Sequence, residues 1–569
     1  MKPRRLLVTG LLWLLPLAFL GLFYVRPLAA ILSISLQRST EGWAAPLLQA
    51  LTSPNTGRVL GFTVWQAALS TLLTLAIGLP GAYLLARFQF RGKGLLQALM
   101  GLPFVMPTLV VASAFNALLG PRGWANLALM QIGGFEQPPI QFTNSLVAIL
   151  VAHVFYNTTI VLRMVGDFWS HLDPRLGQAA AMLGASPWQR LRRVTLPLLA
   201  PSITAAALLV FLFDFTSFGV ILILGGPQYA TLEVEIYYQT VSLFNLPMAA
   251  TLSLLQLACT LLLSILYARL SARAARPIAL RPQAYTQRRL ITWQSRLLAG
   301  MLVAFLLAFF TLPLGALALR SFSRLEPDRG QRQTIDPGLT LDFYKELAVN
   351  RRSSLFYIPP VRAIQVSLGY AAITMLLALT LGLPAAWALA RDPQALLNRL
   401  LDPLLMLPLG TSAVTLGLGL VISLDQPPLD LRASPLLVPL AHTLVAFPFV
   451  VRSLTPALRS IRPRLRQAGA VLGASPGQAF RYVDLPLIGR ALLVAATFAF
   501  TISLGEFGAT SLIARPEYPT VPVAIYQFLS RPGGLNYGQA MALATILMCI
   551  TGAGMLVIER FRVAQVGEF

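Results

Sequence analysis

Long apolar stretches alternate with short polar intervals along the whole chain. Runs such as 6–34, 60–86, 203–224 and 297–318 are almost entirely apolar. Each reaches about 20 residues or more, the length that an α-helix needs to cross a bilayer. A membrane β-barrel would instead have short segments of alternating polarity. We therefore predict an all-α polytopic membrane protein with twelve spans, near residues 6–34, 59–86, 95–119, 144–165, 197–224, 247–269, 294–319, 362–390, 399–424, 434–455, 487–514 and 538–558.

Composition and the placement of charge support this class. The chain is 56% hydrophobic and 11% charged, with a formal net charge of +23. Its basic residues cluster in every second interval between apolar runs, as the positive-inside rule requires of cytoplasmic loops. Membrane topology therefore explains the charge, and we expect no nucleic-acid partner. An even number of spans after a basic start predicts that both termini are cytoplasmic.

One sequence block occurs twice, and it defines two halves. Gln178 to Leu198 reads QAAAMLGASPWQRLRRVTLPL, and Gln467 to Leu487 reads QAGAVLGASPGQAFRYVDLPL, an offset of 289 residues (467 − 178). With six spans in each repeat, both halves cross the membrane in the same direction, unlike the inverted repeats of many secondary transporters. The predicted parts are a first half over residues 1–270, a cytoplasmic linker over 271–293 and a second half over 294–569.

Each half carries a polar segment that we call an inner segment, residues 174–197 and residues 463–486. In the first, Gly184 ends one predicted helix, and Ser186 with Pro187 begins a second. Leu196-Pro197 then turns the chain back toward the membrane. The pattern predicts a compact helix–turn–helix on the inner face, and a surface helix held by lipid headgroups is the alternative.

At these residues the chain resembles the permeases of type I ATP-binding cassette importers. The coupling motif of that family is Glu-Ala-Ala, three residues, Gly, nine residues, Ile, one residue and Leu-Pro. Both copies here have Gln in place of Glu, which removes any ion pair of that carboxylate, and the second has Gly469 in place of Ala. The matching residues are Gln178, Ala179, Ala180, Gly184, Val194, Leu196 and Pro197, and Gln467, Ala468, Gly469, Gly473, Val483, Leu485 and Pro486.

The resemblance implies partners rather than catalysis. Each inner segment is expected to dock one of two copies of a separate cytoplasmic ATPase, which uses ATP and Mg. An external, periplasmic binding protein is expected to deliver the substrate, and the expected location is the bacterial inner membrane. The sequence contains no Gly-x-x-x-x-Gly-Lys-Ser/Thr loop. We therefore expect a non-enzymatic chain that binds no cofactor or metal itself.

The fusion of two halves in one chain narrows the choice of substrate. Among such permeases, those of thiamine and of ferric-iron importers carry both halves in one chain. Residues 152–157, Gly225-Gly226-Pro227 and Glu235-Ile236-Tyr237 resemble the thiamine permeases, whereas residues 503–509 suit either group. The resemblance thus favours thiamine and leaves ferric iron open. The alternative function is an ion-coupled secondary transporter or channel.

Four polar residues in the spans after the inner segments are candidates for the substrate pathway. Asp214 aligns with Ser503, and Ser217 aligns with Glu506, at the same offset of 289. Ionisable groups inside a span are costly and usually face a partner or a wet cavity. They are expected either to line the pathway or to form hydrogen bonds between helices. His153 and His442 also align; a packing hydrogen bond is favoured over metal ligation for both.

Overall fold

The computed structural model describes residues 12–37, 52–274, 286–324, 338–349, 359–391, 395–425 and 430–561. This part of the chain is almost entirely helical, which confirms the predicted fold class. The helices are α1 Leu12–Leu36, α2 Pro54–Arg87, α3 Lys93–Val105, α4 Thr108–Leu119, α5 Trp124–Gly133, α6 Leu146–His171, α7 Arg175–Met182, α8 Pro187–Phe215, α9 Gly219–Leu224, α10 Leu232–Val241, α11 Leu246–Ala274, α12 Trp293–Ser321, α13 Asp342–Glu346, α14 Pro360–Arg391, α15 Leu396–Met406, α16 Ala413–Ser423, α17 Leu437–Arg459, α18 Pro463–Val471, α19 Gly477–Leu487, α20 Gly489–Gly505, α21 Thr510–Ile513, α22 Val521–Leu529 and α23 Gly534–Phe561.

Two short strand pairs join loops at the ends of the helices. β1, Phe88–Gln89, pairs in parallel with β2, Arg288–Arg289, and β3, Ser323–Arg324, pairs antiparallel with β4, Gly338–Leu339. The first pair fastens the end of the predicted linker, residues 271–293, to the inner end of α2. Residues 275–285 of that linker lie outside the described ranges.

Three of the predicted spans are bent rather than straight. Within the described ranges, nine helices are long and apolar enough to cross a bilayer, and the number is twelve when each bent pair is one span. The bends are 110° between α3 and α4–α5, 97° between Leu396–Gly410 and α16, and 74° between α19 and α20. They fall in the predicted spans 95–119, 399–424 and 487–514. At the first, Pro107 forces the residue before it out of the helical conformation.

The first helix of each half packs against the other half. The α1 helix joins the apolar core of the second half, where the Trp13 indole Nε1 donates to Asn398 Oδ1 over 3.2 Å. In the same way, α12 joins the core of the first half, and Phe310 contacts Phe155 with ring centroids 5.7 Å apart. Packing therefore crosses the predicted division at residues 270 and 294 in both directions.

A glycine in the longest described helix of each half, α2 and α14, lets a neighbouring helix pack closely against it. A Cβ at Gly78 would lie 2.7 Å from Val161 of α6, and a Cβ at Gly382 would lie 2.5 Å from Val450 of α17. Any larger residue would therefore push these helices apart. This close approach fixes α2 on α6 and α14 on α17, and these pairs support the helices that follow the inner segments.

The exchanged helix α1 provides a stability test. Because Trp13 is buried and its indole is bonded to Asn398, Trp13→Phe should lower the free energy of unfolding by about 1 kcal/mol. Thermal unfolding in detergent measures this change. Trp65→Phe is the matched control, since Trp65 is 52% exposed, and it should have no measurable effect. Equal effects of the two substitutions would contradict the packing of α1 described above.

Candidate coupling and translocation site

The first inner segment is a short helix closed by a left-handed glycine. The α7 helix ends where Gly184 adopts φ +83°, a conformation that L side chains rarely adopt. The Ala185 N–H donates to the Ala180 carbonyl over 3.0 Å, and the Gly184 N–H donates to the Ala181 carbonyl over 3.0 Å. This pair of bonds is a Schellman motif, which satisfies the last carbonyls of the helix. The glycine thus turns the chain sharply at the tip of the segment.

The second inner segment repeats this geometry. Gly473 has φ +81°, the Ala474 N–H donates to the Gly469 carbonyl over 2.9 Å, and the Gly473 N–H donates to the Ala470 carbonyl over 3.0 Å. A Cβ at Gly469 would lie 3.8 Å from Val483, in ordinary contact. The Gly469 that replaces the Ala of the motif therefore leaves the fold of the segment unchanged.

A capping box begins the second helix of each segment. The Gln189 N–H donates to Ser186 Oγ over 3.3 Å, and the Ser186 N–H donates to Gln189 Oε1 over 2.9 Å. Ser475 and Gln478 form the same two bonds, of 3.3 and 2.8 Å. A π-helical turn follows in each copy, Leu191–Thr195 and Phe480–Asp484. Such turns often occur at functional sites.

The inner segments present apolar tips to solvent. Leu183 is 88% exposed and Leu472 is 87% exposed, and the preceding Met182 and Val471 are equally exposed. None of the fourteen residues predicted to couple to an ATPase is buried. Since six spans separate the two segments, both lie at the same end of the molecule. Exposed apolar side chains of this kind are typical of interaction surfaces, and docking of a partner at these two tips stays a prediction.

One ion pair distinguishes the second segment from the first. Arg466 Nε donates to Asp484 Oδ1 over 2.7 Å, and the Asp484 side chain is buried. The equivalent residues in the first half are Gly177 and Thr195, which lack this pair. The second segment is thus tied to the base of its span by an ion pair that the two equivalent residues of the first segment cannot form. This pair was not predicted from the sequence, although both positions differ together between the copies.

The pathway candidates of the first half lie in a buried cluster around His153. His153 Nε2 is 2.8 Å from Ser217 Oγ, and His153 Nδ1 is 3.3 Å from Asp214 Oδ1. Asn157 Nδ2 donates to the same carboxylate oxygen over 2.6 Å. Gln66 Nε2 donates to the main-chain carbonyl of Asp214 over 2.9 Å, near the point where α8 ends. The carboxylate is therefore buried among donors and not exposed to a wet channel in this conformation.

The second half builds the equivalent cluster around His442. His442 Nδ1 is 2.7 Å from Ser503 Oγ, and His442 Nε2 is 3.2 Å from Glu506 Oε2. The Glu506 carboxylate also accepts the N–H groups of Ala509, over 2.8 Å, and Thr510, over 3.1 Å. It thereby caps the short helix that follows the break, as an anion at a helix N-terminus does.

The two clusters place the acid on different residues. In the first half, the acid is Asp214 and the hydroxyl is Ser217; in the second, the hydroxyl is Ser503 and the acid is Glu506. In both, the acid and hydroxyl meet the histidine of the preceding span, a pairing that the common offset of 289 residues could have revealed. The bonds of His153 to Ser217, Asn157 to Asp214 and His442 to Ser503 join neighbouring spans, and a role in lining the pathway stays a prediction. Among the described residues, no group of three His, Cys, Asp or Glu could hold a metal ion.

The duplicated architecture has a counterpart among known protein families. Residues 78–276 and 378–564 both match the family described as binding-protein-dependent transport system inner membrane component. The chain belongs to that family. It is therefore a multi-pass inner membrane component, and the predicted permease of two fused halves is confirmed by the two matches.

Relatives of similar length also align over nearly the whole chain. A thiamine transport system permease protein, ThiP, of Brucella abortus (strain 2308) is 29% identical over 547 residues, which cover 95% of this chain and 94% of that protein. The ThiP of Escherichia coli (strain K12) is 27% identical over 563 residues, 96% of each chain. A probable ABC transporter permease protein, y4fN, of Sinorhizobium fredii is 25% identical over 513 residues, 89% of this chain and 88% of that protein.

The His442 cluster allows the structural and pathway roles to be separated. His442→Ala removes the imidazole beside the buried Glu506 carboxylate, so the free energy of unfolding should fall by about 3 kcal/mol. Thermal unfolding in detergent measures this loss. Glu506→Gln keeps the shape of the side chain and is the matched variant.

Two outcomes decide between the roles. If the cluster is purely structural, transport by both variants should fall only in proportion to the loss of folded protein. Transport lost in Glu506→Gln at unchanged melting temperature would instead assign Glu506 to the pathway.

Proposed function

We propose that this chain is the permease of an ATP-driven importer of thiamine. The relatives described as thiamine permeases match it from end to end at 27–29% identity, and this similarity is the observation that carries the proposal. The family favours transport that depends on a binding protein over the ion-coupled alternative. No relative among those above points to ferric iron.

The paired inner segments support docking of an ATPase. A partner with two copies, one under each segment, matches the pseudo-symmetric pair of exposed tips at Leu183 and Leu472. Helix-in-groove recognition of this kind places exposed apolar side chains in a cleft of the partner. ATP and Mg are then used by the partner, and this chain supplies the moving part.

Movement of the partner reaches the membrane through continuous structure. The α8 helix continues from the capping box at Ser186 to the His153 cluster at Asp214. The α19–α20 pair leads from Ser475 to Glu506. Closure of two ATPase subunits would bring the inner segments together and shift both buried clusters. Alternating exposure of a central pathway to the two sides follows from that shift.

The ends of the described chain support a cytoplasmic location of both termini. Trp13, near the start of α1, contacts Asn398, which bonds to Ala388 at the inner end of α14. Glu559, near the end of α23, pairs with Arg163 in the half of α6 nearest the first inner segment. These contacts support a position of both ends on the side of the basic loops, which the positive-inside rule assigns to the cytoplasm.

Reconstituted transport tests the substrate. Proteoliposomes that contain this chain, its ATPase and its external binding protein should accumulate labelled thiamine only when ATP and Mg are supplied on the ATPase side. A protonophore should leave this accumulation unchanged. Accumulation without ATP that collapses with the protonophore would contradict the proposal and favour the ion-coupled alternative.

The apolar tips offer a test of docking. The double substitution Leu183→Asp and Leu472→Asp places charges where apolar contact is expected, so co-purification of the ATPase in detergent should fall at least ten-fold. Ile132→Asp is the matched control, because Ile132 is also 87% exposed but lies on α5, at the opposite end of the molecule. Undiminished co-purification of the ATPase with the double variant would rule out docking at these tips.

A further inference from the structure

Two equivalent phenylalanines meet where the halves face each other. The Phe218 and Phe507 rings are stacked, with centroids 5.4 Å apart and planes inclined by 22°. Their numbers differ by 289 (507 − 218), the offset of the inner segments. Equivalent residues of a two-fold repeat can touch each other only at the axis. This stack therefore marks the pseudo-two-fold axis of the molecule.

Two equivalent tyrosines complete the arrangement. The Tyr237 ring lies 5.3 Å from Phe218 at 57°, and the Tyr526 ring lies 5.6 Å from Phe507 at 52°. The tyrosines also differ by 289 (526 − 237). We call these four residues the axial quartet. Two aromatic pairs, one from each half, thus meet at the axis through the two phenylalanines.

The axial quartet is shut in this conformation. Phe218 is 7% exposed and Phe507 is 3% exposed, and ring contact at the axis leaves no space for a solute between them. Glycines follow both phenylalanines, and a Cβ at Gly508 would lie 2.9 Å from Ala413. The backbone behind the rings is thus packed closely against neighbouring helices, so the rings must separate for anything to pass along the axis.

The axial quartet is placed to respond to the inner segments. Phe218 follows Ser217, which contacts His153, and Phe507 follows Glu506, which contacts His442. Both phenylalanines therefore lie immediately after the buried clusters, beyond the ends of α8 and α20. A shift of these helices moves the two stacked rings, which connects the tips at the inner face to the axis.

The chemistry of the axial quartet suits an organic cation. Aromatic faces attract cations, and four rings around one point supply several such faces. The Glu506 carboxylate immediately precedes Phe507 in the chain, and Glu235 lies two residues before Tyr237 on the same helix. These negative groups disfavour an anion in the same place. Flat aromatic ligands also stack on such faces.

We propose that the axial quartet is the substrate-contact site of the permease and that, once the stack opens, its rings hold a flat aromatic cation. This inference rests on the proposed function, since thiamine is a substrate of that class. The rings then serve both as a barrier in the shut state and as a selective surface in the open state.

Fluorination tests the cation contact without changing the shape of the rings. Stepwise fluorination of the phenylalanines at 218 and 507 weakens the negative ring face, so uptake of thiamine at low concentration should fall stepwise, by roughly five- to thirty-fold for trifluorinated rings. The same series at Phe305 and Phe309, a stacked pair with centroids 5.9 Å apart, is the matched control and should leave uptake unchanged. Melting temperatures in detergent verify folding of every variant.

The outcomes separate the two proposals. If wild-type protein takes up thiamine and the fluorinated series does too, at equal rates, the axial quartet is only a steric barrier and this inference fails while the proposed function stands. If wild-type protein takes up no thiamine, the proposed function fails, and passive efflux then tests the quartet alone.

Passive efflux requires neither the ATPase nor the binding protein. Liposomes that contain the double variant Phe218→Ala, Phe507→Ala are preloaded with thiamine and with a sulfonated aromatic anion of similar size. They should release thiamine at least ten-fold faster than the anion. Further substitution of the tyrosines in that background, Tyr237→Leu with Tyr526→Leu, should abolish the preference for thiamine over the anion. Equal release of both solutes before the tyrosines are changed would overturn the inference.

Discussion

The burial of a carboxylate in each half constrains the rest of the structure. A charge in the hydrocarbon region is costly unless it is paired, and truncation of one partner leaves that cost uncompensated. Each carboxylate lies beside a histidine from the preceding span, at the place where the helix from an inner segment stops. These contacts fix the ends of the two helices relative to α6 and α17. The exposed tips and the axial rings lie at opposite ends of those helices.

The class of fold and the number of spans could be predicted because both depend on local hydropathy and on the offset between repeats. The bends in three spans could not, since a break such as that before α16 is stabilised by tertiary contacts of Ser412, which caps the helix and bonds to Glu233 of the first half over 2.5 Å. The packing of α1 and α12 against the opposite halves could not be predicted from the sequence either. Apolar helix faces do not indicate which partner they will bury.

The inner segments were predictable in detail, because Gly184 and Ser186 specify local backbone geometry. The buried clusters were predictable only in part. Sequence identified Asp214, Glu506 and the two histidines as separate candidates, whereas the pairing of each acid with a histidine depends on how neighbouring spans pack. The axial contact between Phe218 and Phe507 was missed for a related reason. Aromatic residues are frequent in membrane helices, and only the equal offset distinguishes this pair.

The exchanged helices also bear on what holds the two halves together. Because α1 packs into the core of the second half and α12 packs into the core of the first half, each half holds one helix of the other. The two halves are therefore held together by packing and do not depend on the peptide that joins α11 to α12. A chain cut in that peptide would remain one complex. A gene split at that point, or two genes joined there, would encode the same assembled permease.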